Sequence, residues 1–112
     1  MPALPSHREQ VVLPVGVQDA NGQVHLDAEV RAVTGGDELF IGTSREYTQH
    51  PNDLVYKTLL LSRCVTRLGP KAPITLEDIK RLHVQDVRAL ELAVYRLSYG
   101  DGVVPEEPTP SG

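Results

Sequence analysis

The amino-acid sequence predicts an α+β fold, in which an N-terminal β-hairpin packs on a small bundle of three to four helices. Two runs of alternating apolar residues flank an Asn-Gly pair near the N-terminus, and an apolar stripe at helical spacing marks the C-terminal part. The chain has 112 residues, of which 40% are hydrophobic, with four Tyr, one Phe and no Trp. This composition fits one domain with a modest aliphatic core.

The hairpin is predicted from period-two patterning on both sides of Asn21-Gly22. The apolar residues of the two runs are Val11, Leu13, Val15 and Val17, then Val24, Leu26, Ala28, Val30 and Ala32. Asn-Gly is the strongest signal for a two-residue type I′ turn, and such a turn sets Val17 opposite Leu26. Pro14 lacks an N–H, so its strand is expected at a sheet edge or at a bulge. Because a lone hairpin is barely stable in water, this one must cover the helices or pair with another chain.

Two helices are predicted in the middle of the chain. Thr34 caps a short one, with Asp37 and Glu38 in its first turn. The polar run 43–52 weakens the helical signal. Asn52 or Asp53 then caps a helix from residue 54 to about residue 68, which is apolar over a wide arc and is therefore expected to be buried. Gly69-Pro70 is expected to end that helix, with the glycine as a left-handed cap.

The C-terminal part predicts a short helix and a long one. Thr75 caps the short helix, and Asp78 completes a capping box. The long helix presents a core stripe and ends at Gly100. The stripe consists of Val87, Leu90, Val94 and Leu97, with Ala93 beside it.

The two ends of the chain are predicted to be arms outside a domain of residues 10–101. Residues 1–9 are polar and contain two prolines, and residues 102–112 contain three prolines and two glutamates. No apolar run reaches the length of a signal peptide or of a membrane span, so synthesis in the cytoplasm and no membrane contact are expected.

The sequence shows no constellation typical of catalysis, and an enzyme is not expected. The four histidines are scattered, so neither a metal site nor a cofactor is expected. Cys64 lies on the most apolar predicted helix, which favours a buried, inert thiol over a nucleophile. Asp27 and Glu29 alternate on one strand face, where a solvated surface is favoured over acid–base chemistry.

Arg63 and Arg67 stand one turn apart on the predicted helix, with Lys57 and Lys71 nearby, and such a strip could touch phosphates. The formal net charge of −4 argues against nucleic acid as the main partner. The candidate interaction residues are therefore assigned to protein contacts. They are Pro14, His25, Asp27, Glu29, Arg31, Arg63, Arg67, Tyr99, Val103 and Val104.

Three segments occur in an order that resembles one group of proteins. They are Val33-Thr34-Gly35-Gly36-Asp37-Glu38, then Leu60-Leu61-Ser62-Arg63-Cys64-Val65, then Val84-x-Asp86-x-Arg88-x-Leu90 with the ending Tyr99-Gly100-Asp101. In this order the chain resembles small phage tail proteins of the T4-type baseplate and tail-assembly families, found in contractile tails and related injection systems. Many members continue into a cysteine pair that suggests a metal knuckle. Here residues 103–108 contain no cysteine, so no metal role is carried over.

The resemblance implies a non-enzymatic structural component of a tail or injection-system baseplate, made in the host cytoplasm and carried in the particle. Its partners would be other tail proteins such as hub, tube or tape-measure proteins, bound through the hairpin and the arms. One alternative is an assembly chaperone that acts on tape-measure or hub proteins and is absent from the finished particle. Another is a small nucleic-acid-binding regulator that uses Arg63, Arg67 and Lys71.

Overall fold

The predicted α+β architecture is confirmed by a computed structural model, which describes residues 8–100. In chain order its elements are β1 (Arg8–Gln18), β2 (Val24–Arg31), α1 (Gly35–Gly42), α2 (Arg45–Gln49), α3 (Asp53–Cys64), β3 (Val65–Leu68), α4 (Leu76–Lys80) and α5 (Val84–Tyr99). The strands form one antiparallel sheet in the order β1-β2-β3. Helical segments number five within residues 8–100, where the sequence predicted three to four, because α2 forms inside the polar run 43–52.

The third strand corrects the prediction of a helix reaching residue 68. Helix α3 ends at Cys64, and the chain continues directly into β3, which pairs with β2. The β-branched residues Val65 and Thr66 suit a strand, and pairing buries Val65 and Leu68 in the core. Gly69 therefore follows a strand and is not a helix cap. The extra pairing that the hairpin needs comes from this chain itself.

The hairpin turn differs from the two-residue turn predicted for Asn21-Gly22. Asp19 and Gln23 close a three-residue loop, in which the Gly22 N–H donates to the Asp19 carbonyl at 3.0 Å. Gly22 adopts a left-handed φ of 83°, as is usual for the last residue of such loops. The Asp19 carboxylate, which accepts from the backbone N–H of Asn21 and Gln23, favours this wider loop.

The pairing register of the hairpin is consequently not the predicted one. Val17 lies opposite His25 rather than Leu26, and Val11 lies opposite Ala28 rather than Ala32. Between these two pairs the register shifts, because β1 holds several additional residues between Val12 and Val17. Pro14 lies within this bulge, and β1 is an edge strand of the sheet. Both positions agree with the prediction made from the missing N–H of Pro14.

Helix α5 covers the sheet and completes the core. Its predicted stripe is confirmed: Leu90, Ala93 and Val94 are at most 3% exposed, with Val87 and Leu97 packed beside them. Across from them the sheet contributes Leu13, Ala28 and Val30. The helix caps predicted at Thr34, Asn52, Thr75 and Gly100 are all present.

Arg8 and Glu9 belong to β1, although the sequence placed them in the N-terminal arm. Residues 1–7 and 101–112, which contain the rest of both predicted arms, lie outside the described residues.

Candidate functional site

A buried carboxylate joins the end of the sheet to two helices. Asp37, in the first turn of α1, is fully buried and accepts two hydrogen bonds of 2.8 Å from the Arg31 guanidinium at the end of β2. Arg63, at the end of α3, donates from Nε at 3.1 Å and stacks over the Phe40 ring at 4.2 Å. The backbone N–H and hydroxyl of Thr34 also donate to Asp37, and the Cys64 thiol donates to it at 4.0 Å. Arg31 and Arg63 therefore hold the fold together.

The electrostatics of this cluster do not suit catalysis. Hydrogen bonding from Arg31 is the main reason why the pKa of Asp37 lies well below its usual range, so this carboxylate stays ionised at neutral pH. Burial, assisted by the charge of Asp37, raises the pKa of the Cys64 thiol to about 11. The predicted burial of Cys64 is confirmed, and the raised pKa disfavours the reactive thiolate.

A second buried carboxylate fixes the bulge of the hairpin. Asp86, in the first turn of α5, is fully buried and accepts from the backbone N–H of Val15 at 2.8 Å and of Gly16 at 2.9 Å. These two donors have no partner on β2, because the bulge interrupts the strand pairing there. From the sequence, Asp86 was named only as part of the third resembling segment, and no local pattern links it to residues 70 positions earlier.

The outer face of the sheet carries the paired charges that the sequence predicted as a solvated surface. Arg67 bonds to Asp27 and, at 2.8 Å, to Gln10, while Thr66 donates to Glu29 at 2.7 Å. Arg67 bonding lowers the pKa of Asp27, and the Thr66 hydroxyl is the main reason for the lowered pKa of Glu29. Both carboxylates therefore accept hydrogen bonds from neighbouring side chains of the sheet, and this arrangement does not resemble an acid–base pair.

The predicted basic strip of Arg63, Arg67 and Lys71 is not formed. Arg63 belongs to α3 and is held by Asp37, whereas Arg67 lies on β3 and is held by Asp27. Lys71 forms an ion pair with Asp78 at 3.5 Å. The three cations are thus paired with three separate carboxylates of this chain, and they do not form one strip that could contact a phosphate backbone.

The hairpin tip, which we define as residues 15–26, exposes apolar side chains on a fixed backbone. Val15, Val24 and Leu26 are 42%, 50% and 48% exposed. Asp86 holds one side of the tip, and Asp19 bonds to the loop and to His25 Nε2 at 2.9 Å on the other. His25, which was predicted to contact other proteins, is thus already bonded to Asp19 within the chain. A cavity of about 840 Å³ lies between the tip and α4.

A groove of about 470 Å³ lies between α1, α3 and α5, and we call it the α3–α5 groove. Its lining is mainly apolar and includes Leu92 and three of the four tyrosines, Tyr56, Tyr95 and Tyr99. The Tyr95 and Tyr99 ring centroids are 4.7 Å apart, and the fourth tyrosine, Tyr47, contacts Tyr56 edge to face. Leu92 and Tyr99 are each 52% exposed. Tyr99 was predicted as an interaction residue, but the groove could not be predicted because its walls come from separate elements.

Of the other predicted interaction residues, Pro14 is exposed in the bulge, and Val103 and Val104 lie outside the described residues. Among residues 8–100, no group of three or more His, Cys, Asp or Glu side chains is arranged to hold a metal ion. Within the same residues, no helix has the length and apolar character needed to cross a membrane.

Comparison with protein-family models, with curated proteins and with solved structures finds no match to this chain.

Proposed function

We propose that this chain is a non-enzymatic, protein-binding component of a phage tail or contractile injection-system baseplate. The order of its three sequence motifs supports the assignment to tail proteins. Its buried reactive groups support a role without catalysis. Asp37 and Asp86 already accept structural hydrogen bonds, and the thiol of Cys64 is buried with a raised pKa.

The hairpin tip is the observation that carries the proposed contact with neighbouring subunits. Three exposed apolar side chains lie within a hairpin tip whose backbone is held by Asp86 and Asp19. A surface ordered before binding loses little conformational entropy when a partner arrives. Exposed apolar residues on such a surface are typical of protein interaction sites. Contacts through the terminal arms remain a prediction, since nearly all of both arms lies outside the described residues.

The test is the protein composition of purified particles from the host that carries this gene, measured by quantitative mass spectrometry. The intact chain and a Leu54→Asp control are expected in the particles, because Leu54 is 64% exposed on α3, outside the hairpin tip. Leu26→Asp is expected to be lost from them, since a charge at the tip opposes burial against a neighbour. Equal incorporation of Leu26→Asp and Leu54→Asp would exclude the tip as the contact.

The same experiment separates the two tail-related functions. A chaperone would be found with assembly intermediates and would be missing from finished particles. That result would replace the structural role with the assembly role.

A further inference from the structure

The α3–α5 groove has an apolar floor and a rim whose acidic groups are already engaged. Glu38 accepts from the Tyr56 hydroxyl at 3.5 Å, and Glu91 accepts from Arg88 at 3.2 Å through both carboxylate oxygens. Burial and the charge of Glu38 raise the pKa of Tyr56, so its hydroxyl stays protonated as a donor.

The basic groups of the rim can still donate hydrogen bonds to a bound group. Arg88 bonds to Glu91 through one terminal nitrogen only, and its side chain is 58% exposed. Lys57 lines the groove and forms no salt bridge with any residue in the range 8–100. The rim therefore offers N–H donors from Arg88 and Lys57 that a bound carboxylate could accept. An occupant with apolar side chains next to carboxylates would complement it.

A segment of that chemistry follows α5 directly in the sequence. Residues 103–107 read Val-Val-Pro-Glu-Glu, and they begin four residues after Tyr99, which lines the end of the groove. Along α5, Tyr99 and Arg88 are about 16 Å apart at the rise of an α-helix. The six residues from 101 to 106 can span about 19 Å when extended. The segment can therefore reach Arg88 from the end of α5.

We propose that residues 103–107 of this chain bind in its own α3–α5 groove. Val103 and Val104 cover the exposed surfaces of Leu92 and Tyr99, and Glu106 and Glu107 pair with Arg88 and Lys57. A tether of a few residues gives an effective concentration of about 1 mM or more, so the attached segment is favoured over that of a second copy at micromolar concentration. This proposal goes beyond the proposed function and does not depend on it.

Tyrosine fluorescence of the full chain tests the proposal, because there is no Trp and all four tyrosines lie in the groove or against it. Acrylamide quenching is compared between the wild type and the variants V103D/V104D and E106K/E107K. The control T109K/S111K adds positive charge to the same terminal region outside 103–107. Far-UV circular dichroism confirms that each variant is folded.

Both groove variants are expected to raise the quenching constant, while the control keeps the wild-type value. Adding Lys57→Glu to E106K/E107K is expected to restore protection, because the ion pair is then reversed. Equal quenching of wild type and both variants would overturn the proposal. Protection that is lost on dilution would also overturn it, since the occupant would then be the segment of a second copy.

Discussion

Replacing Asp86 with Asn is the sharpest test of how the hairpin is held to the last helix. The carboxylate is fully buried, and its two oxygens accept from Val15 N–H and Gly16 N–H at 2.8 and 2.9 Å. Asparagine has nearly the same shape but only one acceptor oxygen. Its amide NH₂ would therefore face one of the two backbone donors.

The expected cost follows from these contacts. A hydrogen bond to a charged acceptor contributes about 1.5–3 kcal/mol, and leaving its donor without a partner removes that contribution. Loss of a negative charge in the first turn of α5 adds about 0.3–1 kcal/mol. The variant should therefore lose about 2–4 kcal/mol of unfolding free energy, a large fraction of the roughly 5–15 kcal/mol of a typical domain.

Urea unfolding at pH 7, followed by circular dichroism, measures this loss. The matched control is Asp53→Asn, which removes an exposed acid from the first turn of α3 and should therefore cost only the helix-dipole contribution of about 0.3–1 kcal/mol. If the two variants unfold at the same urea concentration, Asp86 does not hold the bulge as described.

Further outcomes are expected for Asp37, Gly16, Gly22 and Cys64. Asp37→Asn leaves Arg31 and Arg63 without their buried partner and should cost about 3 kcal/mol, toward the low end for such pairs because both guanidinium groups are partly exposed. Folding lowers the pKa of Asp37. The carboxylate therefore contributes fully to the unfolding free energy above the pKa of an unfolded Asp, about 4, and this contribution is lost as the pH falls toward the pKa of the folded state. Between pH 7 and pH 3, the urea midpoint should fall more for the wild type than for Asp37→Asn. Gly16→Ala should cost about 2 kcal/mol or more in thermal melting, because φ is 101° and the new Cβ would lie 2.8 Å from the backbone oxygen of His25. A Cβ added at Gly22 meets no atom within 4 Å, so the strain of its φ of 83° should dominate the cost of Gly22→Val, at about 1–2 kcal/mol. A larger loss than for Gly16→Ala would contradict this loop geometry. Cys64 should react with iodoacetamide at pH 8 only after urea unfolds the chain, and rapid labelling of the folded protein, followed by mass spectrometry, would contradict its burial.

Features that depend on neighbouring residues could be predicted from the sequence. The caps at Thr34, Asn52 and Thr75 each use a side chain that bonds to the backbone three residues later. The stripe of α5 was equally clear, because one helix face packs on the sheet along its whole length.

Features that depend on competition between two local structures, or on partners distant in the sequence, could not be predicted from the sequence. The Asn-Gly signal favoured a two-residue turn, but the carboxylate of Asp19 bonds to two loop N–H groups and selects a wider loop. The apolar run through Val65 looked helical, but it becomes a strand because β2 offers an open edge to residues whose β-branched side chains suit pairing. The roles of Asp37 and Asp86 rest on partners up to 71 residues away, which no local spacing indicates.

The packing of the last helix on the first strand sets a time order for folding during synthesis. Asp86 must be made before Val15 and Gly16 can be bonded, and α5 must be complete before Leu13 is covered. At about 5–20 residues per second, the ribosome needs several seconds to add the roughly 70 intervening residues. During that interval α5 cannot cover the apolar side of the hairpin. Folding of the described domain is therefore completed only after α5 has left the ribosome.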